Sequence, residues 1–142
     1  MIAYFDTSAV VPLLVDDEPG VGICRRAWSL ADAVVTSRLL YVEVAAALAR
    51  AERMGRLTEA AHDRAALGLD EIWPQFDVVE IGEELVHRAA GLARRLRLRG
   101  FDAVHCAAAL SFAGPGTVAV SGDRTLLAAW RAEGLDVVDT QA

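Results

Sequence analysis

The 142-residue sequence predicts an α/β fold: a three-layer α/β/α sandwich around a central, mainly parallel sheet. Three observations carry that expectation. Short, strand-like runs recur along the chain: "IAYF" (2–5), "AVVTS" (33–37), "DVVEI" (77–81), "TVAVS" (117–121) and "DVV" (136–138). Stretches of helical character separate them. The runs are largely apolar rather than strictly alternating, as in strands covered on both faces, which is what βαβ connections build.

Each element has its own local reason. Residues 2–5 form the first buried strand, and an apolar helical stretch follows from Ala9 to Val15. Pro12 fits that stretch only in a first helical turn, where its missing N–H has no partner to lose. "DDEPG" (16–20) punctuates the chain, and a second helix spans 20–31, weakened by Gly22. The strand 33–37 ends at Ser37, a residue suited to cap the next helix. That helix, 39–54, is rich in Ala and Leu and closes before Gly55. Thr58 N-caps another, which runs to Trp73 and is stopped by Pro74. After the strand 77–81 come helices over 83–99, with Gly100 at the end, and over 101–113. A strand at 117–121, a helix at 124–133 and a short strand at 136–138 complete a single domain over 1–142, with no repeat or linker.

Composition narrows the function. Apolar residues make up 54% and charged residues 24%, the balance of a globular protein. No apolar run approaches the roughly 20 residues of a membrane helix, and the N-terminus lacks the basic segment of a signal peptide. The expectation is a cytoplasmic protein with no membrane contact. Cys24 and Cys106 lie far apart and read as reduced core thiols. The net charge of −6 excludes a nonspecific nucleic-acid coat, though not a nuclease whose own acids supply negative charge. All 14 cationic side chains are Arg, so chemistry that needs a lysine is excluded.

Four acids stand out. Sheets of this kind bind ligands at the carboxyl ends of their strands, beside a topological switch point. Asp6 follows the first strand and Asp123 follows "TVAVS" by two residues, so central strands would bring both to one edge. Glu43 has Leu39, Leu40, Ala46 and Ala47 as its helical neighbours, which places it on an apolar face. An unpaired carboxylate there is unfavourable. Either an Arg pairs with it or it snorkels to the rim, or it is a metal ligand or general base. Asp102 falls in a first helical turn, where an acid is ordinary. Asp123 and Asp6 can both serve as N-caps, although Thr7 or Ser8 could cap without a charge. Together, however, four clustered carboxylates repel one another unless a cation lies between them. Hard oxygen ligands with room for water suit Mg²⁺ or Mn²⁺. The same repulsion predicts that neutralising Glu43 or Asp102 stabilises the metal-free fold.

The segments "YFDTSAVVPLLVDDEPG", "TSRLLYVEVAAALARAERMGRL", "LRLRGFDAVHCAAAL" and "VSGDRTLLAAW" resemble, in order and over nearly the whole chain, the signature regions of PIN-domain proteins. The likeness is strongest to the VapC-type toxin ribonucleases of bacterial toxin–antitoxin pairs. It implies a Mg²⁺- or Mn²⁺-dependent endoribonuclease, dimeric and held inactive by a cognate antitoxin. The family's acids fall on Asp6, Glu43, Asp102 and Asp123, and its small hydroxyl residues on Thr7, Ser8 and Ser121. An ion held by Asp6 and Asp102, with Glu43 or Asp123, would activate water and offset charge on the phosphorane. Glu43, on its long side chain, is the favoured group to orient that water or take its proton. One departure is Gly122 directly before the last acid, which predicts a mobile Asp123 acting through the outer sphere.

Other readings of the same residues stay open. A PIN-like nuclease could act on structured DNA, and a PIN-like fold could serve as a non-catalytic binding module. A receiver domain is disfavoured by the absence of lysine, and a haloacid-dehalogenase-like phosphatase by Ser8 where its second Asp would stand. Short single-stranded or loop RNA is the default substrate, because exposed bases are readable. An apolar groove between helix 39–54 and the helix before "DDEPG" is expected to take the antitoxin's helix. Arg94, Arg95, Arg97 and Arg99 either steer RNA or complete a helix C-terminus. His105 and Cys106 are not read as a catalytic dyad, because adjacent helical side chains diverge by about 100°. His62 and His87 read as solvated, and Trp28, Trp73 and Trp130 as core or interface residues.

Overall fold

Five parallel strands form one sheet in the computed structural model, which describes residues 1–142. In chain order the elements are β1 (Ile2–Phe5), α1 (Thr7–Leu14), α2 (Val21–Leu30), β2 (Ala33–Ser37), α3 (Leu40–Arg53) and α4 (Glu59–Ile72). A short 3₁₀ turn, Trp73–Gln75, leads to β3 (Phe76–Val79), followed by α5 (Glu83–Leu96), α6 (Gly100–Leu110), β4 (Thr117–Ser121), α7 (Arg124–Ala132) and β5 (Asp136–Asp139). The sheet order is β3-β2-β1-β4-β5. β1 is therefore central, pairing in parallel with β2 through Tyr4 and Val35 and with β4 through Tyr4 and Ala119.

Alternation along β1 divides the core in two. Tyr4 packs beneath α5, α6 and α7 with Leu92, Cys106 and Trp130. Ala3 and Phe5 face the opposite way, against Val10, Cys24, Val44 and Leu69 of α1 to α4. The sheet is thus covered on both faces, as its apolar strands require. The connection from β1 to β2 passes over one face and that from β4 to β5 over the other. The switch point consequently lies between β1 and β4. Both cysteines are buried and free. Trp130 is fully buried, whereas Trp28 and Trp73 pack edge-on or tilted around Phe76. No helix is long and apolar enough to cross a membrane.

Three local expectations are corrected. α1 starts at Thr7, two residues before the apolar run, so Pro12 lies in the second turn. Asp6 starts the helix early as its N-cap, and α1 ends two residues after the proline. α5 stops at Leu96 rather than continuing to 99, because Arg97 takes the left-handed conformation at φ 57°. That turn carries Leu98 into the core, with its N–H on the Ala93 carbonyl at 3.0 Å, and Gly100 then opens α6 instead of closing α5. β3 runs 76–79 rather than 77–81: it starts one residue earlier because Phe76 belongs to the core beside Phe5, and it ends two residues earlier.

Candidate active site

Asp6 stands where β1 ends and α1 begins, and its carboxylate is held on both oxygens. Oδ1 accepts from the Ala9 amide at 3.1 Å and from Ser8 Oγ at 2.8 Å. Oδ2 accepts from Ser121 Oγ at 2.7 Å. The cap expected from sequence is real, but it does not account for the whole residue. At 4% exposure, burial pushes this carboxyl up to about 6, although His105, Ser121, Ser8 and the Ala9 amide oppose the shift. The fold holds a carboxylate here at the expense of desolvating it.

The same hydroxyls fasten the end of β4. Ser8 Oγ accepts from the Gly122 amide at 2.8 Å, and Ser121 Oγ accepts from the Asp123 amide at 2.9 Å. Asp123 caps α7, with Oδ1 accepting from the amides of Thr125 at 2.9 Å and Leu126 at 3.1 Å. Gly122, just before this cap, is closely packed. A Cβ at that position would stand 2.8 Å from Thr140 Oγ1, so glycine serves close packing against the C-terminal segment.

Glu43, in the first turn of α3, turns toward the cleft with its side chain 22% exposed. It pairs with no arginine. Its Oε1 accepts from Thr7 Oγ1 at 3.2 Å and lies 2.5 Å from His105 Nε2. Asp102 is half-buried in the first turn of α6. Its carboxyl is raised, first by burial and then by the charge of Asp123, with Glu43 adding and His105 and Arg99 opposing.

These four acids, with Thr7, Ser8 and His105, line one cleft of about 470 Å³. The cleft continues between α1 and α3 along Val11, Pro12, Val15, Ala47, Leu48 and Ala51, which is the apolar groove the sequence predicts. Glu18 and Arg56 line it as well, 3.8 Å apart. Ser121 stands behind Asp6, fully buried. Of the arginines before Asp102, Arg95 pairs with Glu133, Arg94 and Arg95 complete the last turn of α5, and Arg99 N-caps α6.

The donor set has the chemistry of hard-cation ligands: carboxylate oxygens, with Asp6 raised by burial and Asp102 by burial and the charges of Asp123 and Glu43. As placed, no three His, Cys, Asp or Glu side chains are close enough to hold one ion jointly.

His105 is the residue that sequence reasoning missed. Its partners lie across the fold, not at the adjacent Cys106. Its ring is 2% exposed, with Nδ1 2.6 Å from the Tyr4 hydroxyl. The available signal was its place on an otherwise apolar helix, where a buried imidazole must find hydrogen-bond partners. His62 bonds only its neighbour Asp63, and His87 is exposed.

The PIN domain family model matches residues 3–129 of this chain. Ribonuclease VapC45 and Ribonuclease VapC49, from two strains of Mycobacterium tuberculosis, are each 40% identical over 140 residues, covering 99% of this chain and 96% of the relative. Among solved structures, a toxin-antitoxin complex from Klebsiella pneumoniae superposes with a TM-score of 0.67 at 17% identity, covering 97% of each chain. The ordered signature segments, the sheet order and these relatives agree: the chain belongs to the PIN-domain family, among its VapC members.

Proposed function

We propose that this protein is a Mg²⁺- or Mn²⁺-dependent endoribonuclease, the toxin of a toxin–antitoxin pair, which hydrolyses RNA phosphodiesters with water. The observation that carries the proposal is the convergence of Asp6, Glu43, Asp102 and Asp123 from separate elements on one cleft. The two relatives named as ribonucleases support it.

Asp6 and Asp102 would be the first choice to hold the ion, with Asp123, whose carboxylate already caps α7, an outer-sphere group. The ion would lower the pKa of a bound water and offset charge developing on the phosphorane. The protein's own groups do the rest. Three hydrogen bonds fix the Asp6 carboxylate. Glu43, with Oε2 free of protein partners, takes the proton of the attacking water. Arg56 can meet a backbone phosphate from its side of the cleft.

The partner proposed is a cognate antitoxin whose helix lays an apolar face between α1 and α3 and whose arginine reaches the acids. Self-association is proposed through the apolar surface of α5 and α6, where Val86 and Phe101 are exposed beside Leu39 and Ile81. Sedimentation velocity of the free chain tests it. We place the protein in the cytoplasm, which fractionation of the host cell can check.

The purified chain should cut RNA with Mg²⁺ or Mn²⁺ and stop with EDTA, and Asp6→Asn should abolish cleavage while melting cooperatively. Undiminished cleavage by that variant sinks the mechanism. Stronger cleavage of structured DNA than of RNA would favour a DNA nuclease, and metal binding without cleavage of either a binding module.

A further inference from the structure

Three polar groups from three elements form a continuous chain from the centre of the sheet to the cleft. Tyr4, on β1, is fully buried, with its hydroxyl 2.6 Å from His105 Nδ1. Its ring meets the imidazole edge-on, with centroids 5.9 Å apart and planes at 75°. Across the imidazole, Nε2 lies 2.5 Å from Glu43 Oε1 on α3. The chain has a direction. A carboxylate only accepts, so Nε2 carries a proton. In a neutral ring Nδ1 then accepts, and the Tyr4 hydroxyl donates to it. Burial raises the Tyr4 phenol far above its usual range, so that hydroxyl keeps its proton.

The two bonds that Glu43 receives, from His105 and from Thr7 Oγ1, fall on the same oxygen. Oε1 is therefore anchored and Oε2 left free. The rest of the local surroundings offers little to hold the side chain, because the helical neighbours Leu39, Leu40, Ala46 and Ala47 are apolar. An imidazole that merely needed satisfaction could have bonded a backbone carbonyl. This one spans from the most buried strand to an acid of the cleft.

We propose that His105, clamped by Tyr4, is the positioning residue of Glu43: it fixes one carboxylate oxygen so that the other faces the chemistry in a single orientation. The proposal rests on the ribonuclease reading for what Glu43 then does. Groups that orient catalytic or metal-binding side chains in this way commonly matter about 10–100-fold when removed.

The test is a double-mutant cycle between His105 and Glu43, read by single-site kinetics on RNA and by Mn²⁺ affinity from the paramagnetic resonance of free ion. His105→Ala should lower kcat about 10–100-fold, with Mn²⁺ affinity and KM for RNA nearly unchanged. His105→Gln, whose amide can still donate to Oε1, should recover most of the loss, and Tyr4→Phe should fall between. In a Glu43→Ala background, His105→Ala should change kcat by no more than about twofold, because there is no carboxylate left to position. A merely structural role would instead add its full penalty in both backgrounds, and that result overturns the proposal. Nitrogen NMR of the ring in metal-free protein gives a readout independent of activity. A proton on Nε2 whose resonance moves on Glu43→Ala and Tyr4→Phe is expected, and a proton resident on Nδ1 alone overturns the chain. If the wild type cuts no RNA while Nε2 remains the protonated nitrogen, the ribonuclease reading falls and the coupling of His105 to Glu43 stands.

Discussion

At the scale of single residues, the candidate site is built from groups with two tasks each. Asp6 caps α1 and presents a carboxylate to the cleft, and burial has raised that carboxyl from 3.8 to about 6. The sign of its pH effect follows. Between those values the folded protein binds a proton that the unfolded chain does not, so the contribution of Asp6 to metal-free stability is full below about pH 4 and is lost as pH rises through 6. The span is about 3 kcal/mol at order of magnitude. Urea titrations at pH 4 to 7 should show this fall, Asp6→Asn should flatten it, and Mn²⁺ should restore stability at the upper end. The remaining acids separate. Asp102 is raised by burial and by Asp123, so Asp102→Asn should raise the metal-free melting temperature. The sequence predicts the same of Glu43, yet its charge is met by His105 and Thr7. Glu43→Gln should therefore leave the melting temperature unchanged or lower it. Scanning calorimetry of both variants in EDTA separates the two behaviours, and a rise in both would show that repulsion outweighs the hydrogen bonds.

At the scale of elements, the strands and helices were legible from apolar content, Gly, Pro and capping residues, and their ends were less so. α5 illustrates the reason. "RRLRLRG" continues a helical pattern, and glycine is the expected terminator. The chain turns three residues earlier because burying Leu98 outweighs the strain of a left-handed Arg97. A side chain with a Cβ is unfavourable there by about 1–2 kcal/mol, part of which glycine loses again as unfolded-state entropy. Arg97→Gly should consequently stabilise the protein by about 0.5–1 kcal/mol in chemical denaturation. A destabilised variant would mean that the arginine side chain contributes contacts exceeding that strain. α1 shows the same limit from the other end, since Asp6 sets the helix start from outside the apolar run.

At the scale of the whole molecule, crossing the sheet between β1 and β4 brings Asp6 and Asp123 to one edge, and α3 and α6 lean Glu43 and Asp102 over it. The cleft and the apolar groove form one continuous surface, so a partner helix in the groove lies within reach of the acids. An arginine of the proposed antitoxin and a divalent ion would then compete for the same carboxylates. Calorimetry should find antitoxin binding weakened by Mn²⁺ and by the combined Asp6→Asn and Asp102→Asn changes. Affinity indifferent to both would leave groove filling as the sole mode of inhibition.

The sequence by itself determined the alternation of strands and helices, the covered parallel sheet and the choice of the four acids that line the cleft, because these depend on local pattern and on residues met in order. It also exposed Glu43 as an acid on an apolar face. Only the tertiary structure decided what answers that acid. The partner of Glu43 is 62 positions away in the chain, and the partner of that histidine 101 positions away in turn. No local periodicity encodes such a pairing; it exists because β1, α3 and α6 are packed together, and a buried donor must find an acceptor among whatever the packing brings near.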